Sequence, residues 1–201
     1  MLQHIRPALV LLFVLTALTG VAYPLAVTGV AQMAFPEQAN GSLVKRDGAV
    51  IGSALIGQNF TSPRYFHGRP SATSATDPND ATRTVDAPYN AANSSGANLG
   101  PTSQKLIDRV KNAAEAWRAA VGAGQIPGDA LTTSASGLDP HISPESALAQ
   151  SASVARARGL PGGRVRALVA EHIERPLLGL IGEPRVNVLG LNLALDRLGS
   201  T

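Results

Sequence analysis

Residues 8–35 read ALVLLFVLTALTGVAYPLAVTGVAQMAF, and no charged side chain occurs between Arg6 and Glu37. A helix rises about 1.5 Å per residue, so about twenty residues cross the hydrocarbon core of a bilayer. This run is long enough to do so with tilt. In lipid a lone helix satisfies its own backbone hydrogen bonds, and Leu9, Val10, Leu11, Leu12, Val14 and Leu15 supply the favourable transfer. Pro24, near the middle, predicts a kink. The competing reading is a cleaved signal, with a basic start at His4 and Arg6 and small residues at Gly20, Val21 and Ala22. A signal core runs about 7 to 15 residues, whereas this apolarity continues through Val27, Val30 and Met33, which favours a retained anchor.

The expected fold class is therefore a single N-terminal transmembrane helix plus a small mixed α+β extracytoplasmic domain. Residues 1–7 form a short cytoplasmic tail, 8–35 the transmembrane helix and 36–201 the extracytoplasmic domain. Arg6 lies on one side of the apolar run and Lys45 with Arg46 on the other, so the charge bias is slight. A short tail with everything after it translocated is the simpler insertion.

Composition narrows the function of the outer part. Aromatic residues are 4% of the 201-residue chain, so few large side chains are available and the core should be thin. The net charge of +3 is spread along the chain, which gives no support to nucleic-acid binding. With no Cys there are no disulfides, thiolate nucleophiles or Cys-held metals.

Beyond the anchor, Asp47-Gly48 between Ser42–Arg46 and Ala49–Ile51 predicts a hairpin with a type I′ turn. Residues 59–101 are rich in Ser, Thr, Asn, Pro and Gly. Their aromatic residues Phe60, Tyr65, Phe66 and Tyr89 favour a functional surface over a linker. Leu106, Val110, Ala113, Trp117 and Val121 fall at helical spacing after Thr102 or Ser103, with Trp117 as the expected core anchor. Ser143, Pro144 and Glu145 open a second helix that ends near Gly159. Val165, Leu168, Val169, His172 and Ile173 mark a third, closed by Pro176. A strand over Arg185–Leu189 and a helix over Leu191–Leu198 complete the chain.

Asp139, His141 and Ser134, Ser136 or Ser143 contain the residue types of a hydrolase triad. No Gly-x-Ser-x-Gly elbow accompanies them, and the Gly and Pro content of 137–144 reads as a rigid turn. The four His residues lack metal-ligand spacing. No phosphate-binding loop occurs. A membrane-anchored envelope Ser hydrolase and a free-standing envelope binding domain are the alternatives to an interaction subunit.

Four segments are similar to the C subunit of the Kdp-type potassium-transporting ATPase. They are Tyr65-Phe66-His67-Gly68-Arg69-Pro70-Ser71-Ala72, Ser94–Pro101, Ser134–Pro144, and Arg185–Leu189 continuing to Leu191-Asn192. The resemblance implies a non-catalytic accessory subunit of an ATP-driven potassium uptake pump in the cell inner (plasma) membrane. It would be needed for assembly and would modulate the ATP affinity of the catalytic subunit. Its partners would be a channel-like potassium-binding subunit, a catalytic P-type ATPase subunit and membrane lipid. No cofactor is expected on this subunit, ATP and potassium being handled by the complex. Tyr65, Phe66, His67, Arg69, Asp139, His141 and Ser143 are the candidates for partner contact. The family's nucleotide-binding string would fall on Ser94, Ser95, Gly96 and Asn98. Two of its five positions depart here, which argues against nucleotide contact.

Overall fold

In the computed structural model, residues 2–176, 179 and 181–199 are described, so the ends of the expected tail and outer domain lie outside. The chain divides into two compact units, 1–53 and 54–201.

The first unit begins with helix α1, Ile5–Ala34, long and apolar enough to cross a membrane and with none of its residues buried. An apolar helix with every face open is unfavourable in water and favourable in lipid. The proline does not break it. Leu18–Ala22 instead form a π-type turn in which the Tyr23 N–H reaches back to the Leu18 carbonyl. Such a turn lets the helix continue past a residue that has no N–H to give. A single helical turn, Pro36–Ala39, follows, and then the hairpin of β1 (Leu43–Arg46) and β2 (Ala49–Ser53). Its turn is the expected one, with Asp47 and Gly48 both at positive φ, 52° and 80°.

In the second unit, β3 (Ser74–Asp77) and β4 (Asp80–Asp86) form a separate antiparallel hairpin, inside a stretch that from sequence carried no strand. Helix α2 is Gln104–Ala120. The strand β5 (His141–Ile142) leads into α3 (Pro144–Arg158), α4 (Gly162–Glu171), β6 (Ile173–Glu174), β7 (Arg185–Asn187) and α5 (Val188–Leu198). The three short strands make one antiparallel sheet in the order β5-β7-β6, pairing Ile142 and Ile173 with Val186. Ile173, expected at the end of a helix, is thus in a strand. Pairing Ile173 with Val186 and Glu174 with Arg185 gives this segment backbone partners that a frayed last helical turn does not.

Helix α3 starts as expected, the Ser143 hydroxyl accepting from the Ser146 N–H, and stops at Gly159 in the left-handed region. The core is thin: among the described residues Phe66 is its one fully buried aromatic, packed among Ile142, Val154, Val165, Val186, Leu191 and Leu195, with Phe60 partly buried against it. Trp117 is not part of it. No residue of α2 is buried. The ring of Trp117 instead lines an open cavity of about 520 Å³ whose α2 wall is mostly Ala.

Phe66 is held in the core by a backbone device. Its N–H donates to the Asn192 Oδ1 at 2.9 Å and its carbonyl accepts from the Asn192 Nδ2 at 2.9 Å. The next residue repeats the arrangement, His67 N–H donating to Gln150 Oε1 at 2.8 Å and its carbonyl accepting from Gln150 Nε2 at 3.1 Å. Two side-chain amides, one on α5 and one on α3, therefore replace a neighbouring strand. Replacing Asn192 by Leu keeps the volume but leaves two buried peptide groups unpaired, at about 1–3 kcal/mol each. Urea unfolding of the full chain in mild detergent, followed through Trp117, should show Asn192→Leu destabilised by about 2–4 kcal/mol. An unchanged midpoint would contradict the clamp.

Candidate functional site

The clamp fixes where the chain goes after His67. It delivers Arg69 to the turn before β5, where Nη1 donates to the Asp139 Oδ2 at 3.0 Å. Nη2 lies 3.3 Å from the Thr133 carbonyl, and both side chains are about a quarter exposed. Asp139 also accepts from the His141 N–H at 3.0 Å, with the His141 Nδ1 at 3.6 Å from the same oxygen. On its other side the His141 Nε2 lies 3.8 Å from Glu174, which accepts from Arg185 Nε at 3.0 Å. A chain of alternating groups, Arg69, Asp139, His141, Glu174 and Arg185, therefore runs across the turn and all three strands of the sheet.

Burial of the Asp139 carboxyl tends to raise its pKa. The His141 side chain and N–H, followed by the Arg69 hydrogen bond and charge, outweigh this and hold it below the ordinary value of 3.8. Tyr89 sits behind the pair at φ 61° and donates its hydroxyl to the Arg69 carbonyl at 2.7 Å. Burial, reinforced by Asp139 and opposed by Arg69, pushes its phenol up to about 12. It therefore stays a hydrogen-bond donor at neutral pH.

Arg69, Asp139, His141 and Ser143 line one open depression of about 340 Å³, together with Asp129 and Arg185. Ser143 is engaged there: Asp129 accepts from its N–H at 2.7 Å and from its hydroxyl at 3.0 Å. The other candidates lie elsewhere. Phe66 is wholly buried and contributes to the core. His67 borders the larger cavity beside α2. Tyr65 lies under the Arg158 guanidinium, 4.6 Å from ring centre to Cζ, and Arg158 pairs with Asp196 at 2.8 Å.

Among the described residues no serine hydroxyl bonds to His141, whose two nitrogens face carboxylates. Ser134 and Ser136 instead accept from the Gly137 and Leu138 N–H groups. The arrangement is a braced turn and lacks the nucleophile-to-base contact of a triad.

The Ser94–Asn98 stretch packs along that turn. The Ser95 N–H and Ser94 hydroxyl both donate to the Ser136 carbonyl at 3.0 Å. A Cβ on Gly96 would meet the Ala135 carbonyl at 2.7 Å. Ser94 and Ser95 are tied to the turn by these bonds, and Gly96 serves close packing. Asn98 lies beyond, at φ 48°.

Gln150, Tyr89, Glu174 and Arg185 were not singled out from sequence as part of this network. Asn192 carried one available signal, a polar residue inside the apolar run Leu189–Leu195.

Because the Asp139 pKa is depressed in the fold, its contribution to stability is present above pH 3.8 and is lost as pH falls below it. Asp139→Asn should cost about 1.5–3 kcal/mol near neutral pH, the range for a charged hydrogen bond. Urea titrations at stepped pH should show the gap to the unsubstituted chain closing in acid. A gap independent of pH would mean that the carboxylate charge is not what braces the turn.

The sequence pattern of the KdpC family, K+-transporting ATPase, c chain, matches residues 5–197. A potassium-transporting ATPase KdpC subunit of Bradyrhizobium diazoefficiens is 64% identical over 197 residues, covering 98% of both chains. The corresponding subunits of Rhodopseudomonas palustris and Methylobacterium nodulans are each 63% identical over 98% of both chains. Matches of this identity over nearly the whole length, on a chain with one apolar helix and a small mixed domain, make it a member of the KdpC family, the c chain of the K+-transporting ATPases.

Proposed function

We propose that the chain is the accessory, non-catalytic subunit of a Kdp-type potassium-transporting ATPase, with ATP hydrolysis residing in a partner subunit. Family membership over residues 5–197 carries this reading. The structure is in keeping with it: the residues that looked most like a catalytic set form a braced turn, and α1 leaves its whole apolar surface for other molecules.

The finer picture places residues 1–7 in the cytoplasm, 8–35 across the inner membrane and 36–201 outside. The partners are a channel-like potassium-binding subunit and a catalytic P-type ATPase subunit. The anchor packs against a partner's helices where Ala17, Gly20 and Ala31 allow close approach. The outer domain meets a partner through the depression lined by Arg69, Asp139, His141 and Ser143, and through Tyr65 and His67, which lie outside it. Arg next to aromatic residues on a rigid loop suits such a contact. Any influence on ATP affinity from this side of the membrane acts as a coupling free energy between distant states of the complex.

A tagged copy purified in mild detergent should bring down two larger membrane subunits. Gly20→Leu, which adds bulk at the helix surface, should reduce their recovery severalfold while leaving the tagged chain itself in the membrane. Recovery of the chain alone under all mild conditions would contradict the proposal and favour a free-standing binding domain.

A further inference from the structure

The hairpin β1–β2 is exposed, two-stranded and directly downstream of the membrane helix. We infer that it is a lipid-contact element that lies in the phospholipid headgroup layer, dips Leu43 and Val50 toward the acyl chains and places Lys45 against phosphate. The inference rests on α1 being a membrane span.

Helix length supplies the first argument. The 30 residues of α1 extend about 45 Å, against a hydrocarbon core of about 30 Å and about 40–45 Å with the headgroups included. Even at an ordinary tilt of about 20° the last turns of α1 lie among headgroups. Gln32, the polar residue of that end, therefore sits in the polar layer.

The chain then turns back instead of leaving. After the turn at Pro36–Ala39, the Asn40 Nδ2 donates to the Gln32 Oε1 at 3.1 Å and the Gln32 Nε2 to the Asn40 Oδ1 at 3.4 Å. The Ser42 N–H donates to the Glu37 carbonyl at 2.9 Å. The far strand is tied to the same place, the Ser53 hydroxyl donating to the Gly41 carbonyl at 2.7 Å. Both strands are thus rooted beside the last turns of α1.

Register supplies the second argument. Leu43 pairs with Ser53 and Lys45 with Val50. The register shifts between Val44 and Lys45, leaving Ile51 as the extra residue of β2, so the alternation along β1 puts Leu43 and Lys45 on one face with Val50, the partner of Lys45. Leu43 is 51% and Val50 55% exposed. A lone two-stranded ribbon is marginal in water, and this one offers two aliphatic side chains flanking a lysine. That is the pattern in which the stem lies along apolar surface while the ammonium reaches phosphate. Arg46 adds a second positive charge beside the Asp47 turn.

The chain has no Cys, so single cysteines report cleanly. Full-length Leu43→Cys, Val50→Cys, Ala49→Cys and Val21→Cys would each carry an environment-sensitive fluorophore in phosphatidylcholine and phosphatidylglycerol vesicles. Labels at 43 and 50 should be quenched severalfold more by lipids spin-labelled near the headgroup than by aqueous iodide. The label at 49, on the opposite face, should show the reverse. Adding Lys45→Glu to Val50→Cys should lower the lipid quenching. Equal iodide access at 43, 49 and 50 would overturn the inference. So would shielding that develops only when the partner subunits are co-reconstituted, which would make the face a protein contact. Loss of deep lipid quenching at Val21 would instead overturn the membrane span, and the hairpin assignment with it.

Discussion

The second unit depends on giving partners to the peptide groups of residues that cross its interior without belonging to any strand. Burying an unpaired N–H or carbonyl costs more than most single contacts return. Asn192 and Gln150 solve this with primary amides, each presenting one acceptor and one donor to a single residue of the segment. Phe66 can then fill the centre of a core that has no other buried aromatic among the described residues. With Phe66 and His67 fixed, the position of Arg69 follows. The guanidinium, Asp139 and the Tyr89 hydroxyl converge because the backbone leading to them has no freedom to place them elsewhere.

This division between a rigid core and a charged turn explains how a poor composition suffices. The domain has few large side chains, and it compensates with polar contacts that span long sequence separations. Ser71 donates to the Gly137 carbonyl and accepts from the Tyr89 N–H. Thr73, almost wholly buried, donates to the Ala87 carbonyl. Such contacts specify one arrangement of loops more sharply than they add stability. A docking subunit needs that property, since its surface must be presented in one shape.

What could be read from sequence was what local rules decide. The membrane helix follows from length and the absence of charge, the first hairpin from Asp47-Gly48, and the start of α3 from Ser143-Pro144-Glu145. What was missed depends on partners far along the chain. Ile173 has helical spacing with Leu168 and Val169, but Val186 offers it a strand neighbour. The hairpin at residues 74–86 hides in a polar stretch because β4 is largely exposed, β3 is mostly half-buried, and neither shows apolar alternation. Trp117 has the periodicity of a core residue, yet an open cavity separates the Ala wall around it from Phe60 and Tyr89 on the other side. Gln150 carries no local mark at all, since its role exists only when residues 66 and 67 arrive beside α3.

In the proposed role this chain works only through others, held by an apolar helix suited to lipid while ATP hydrolysis resides in a partner subunit. The most direct test of that role is potassium uptake by proteoliposomes that contain the two larger subunits, prepared with and without the full chain. The account predicts ATP-driven uptake only when the chain is present, and no ATP hydrolysis by the chain alone. Full uptake in its absence, or turnover of ATP by the isolated chain, would contradict it.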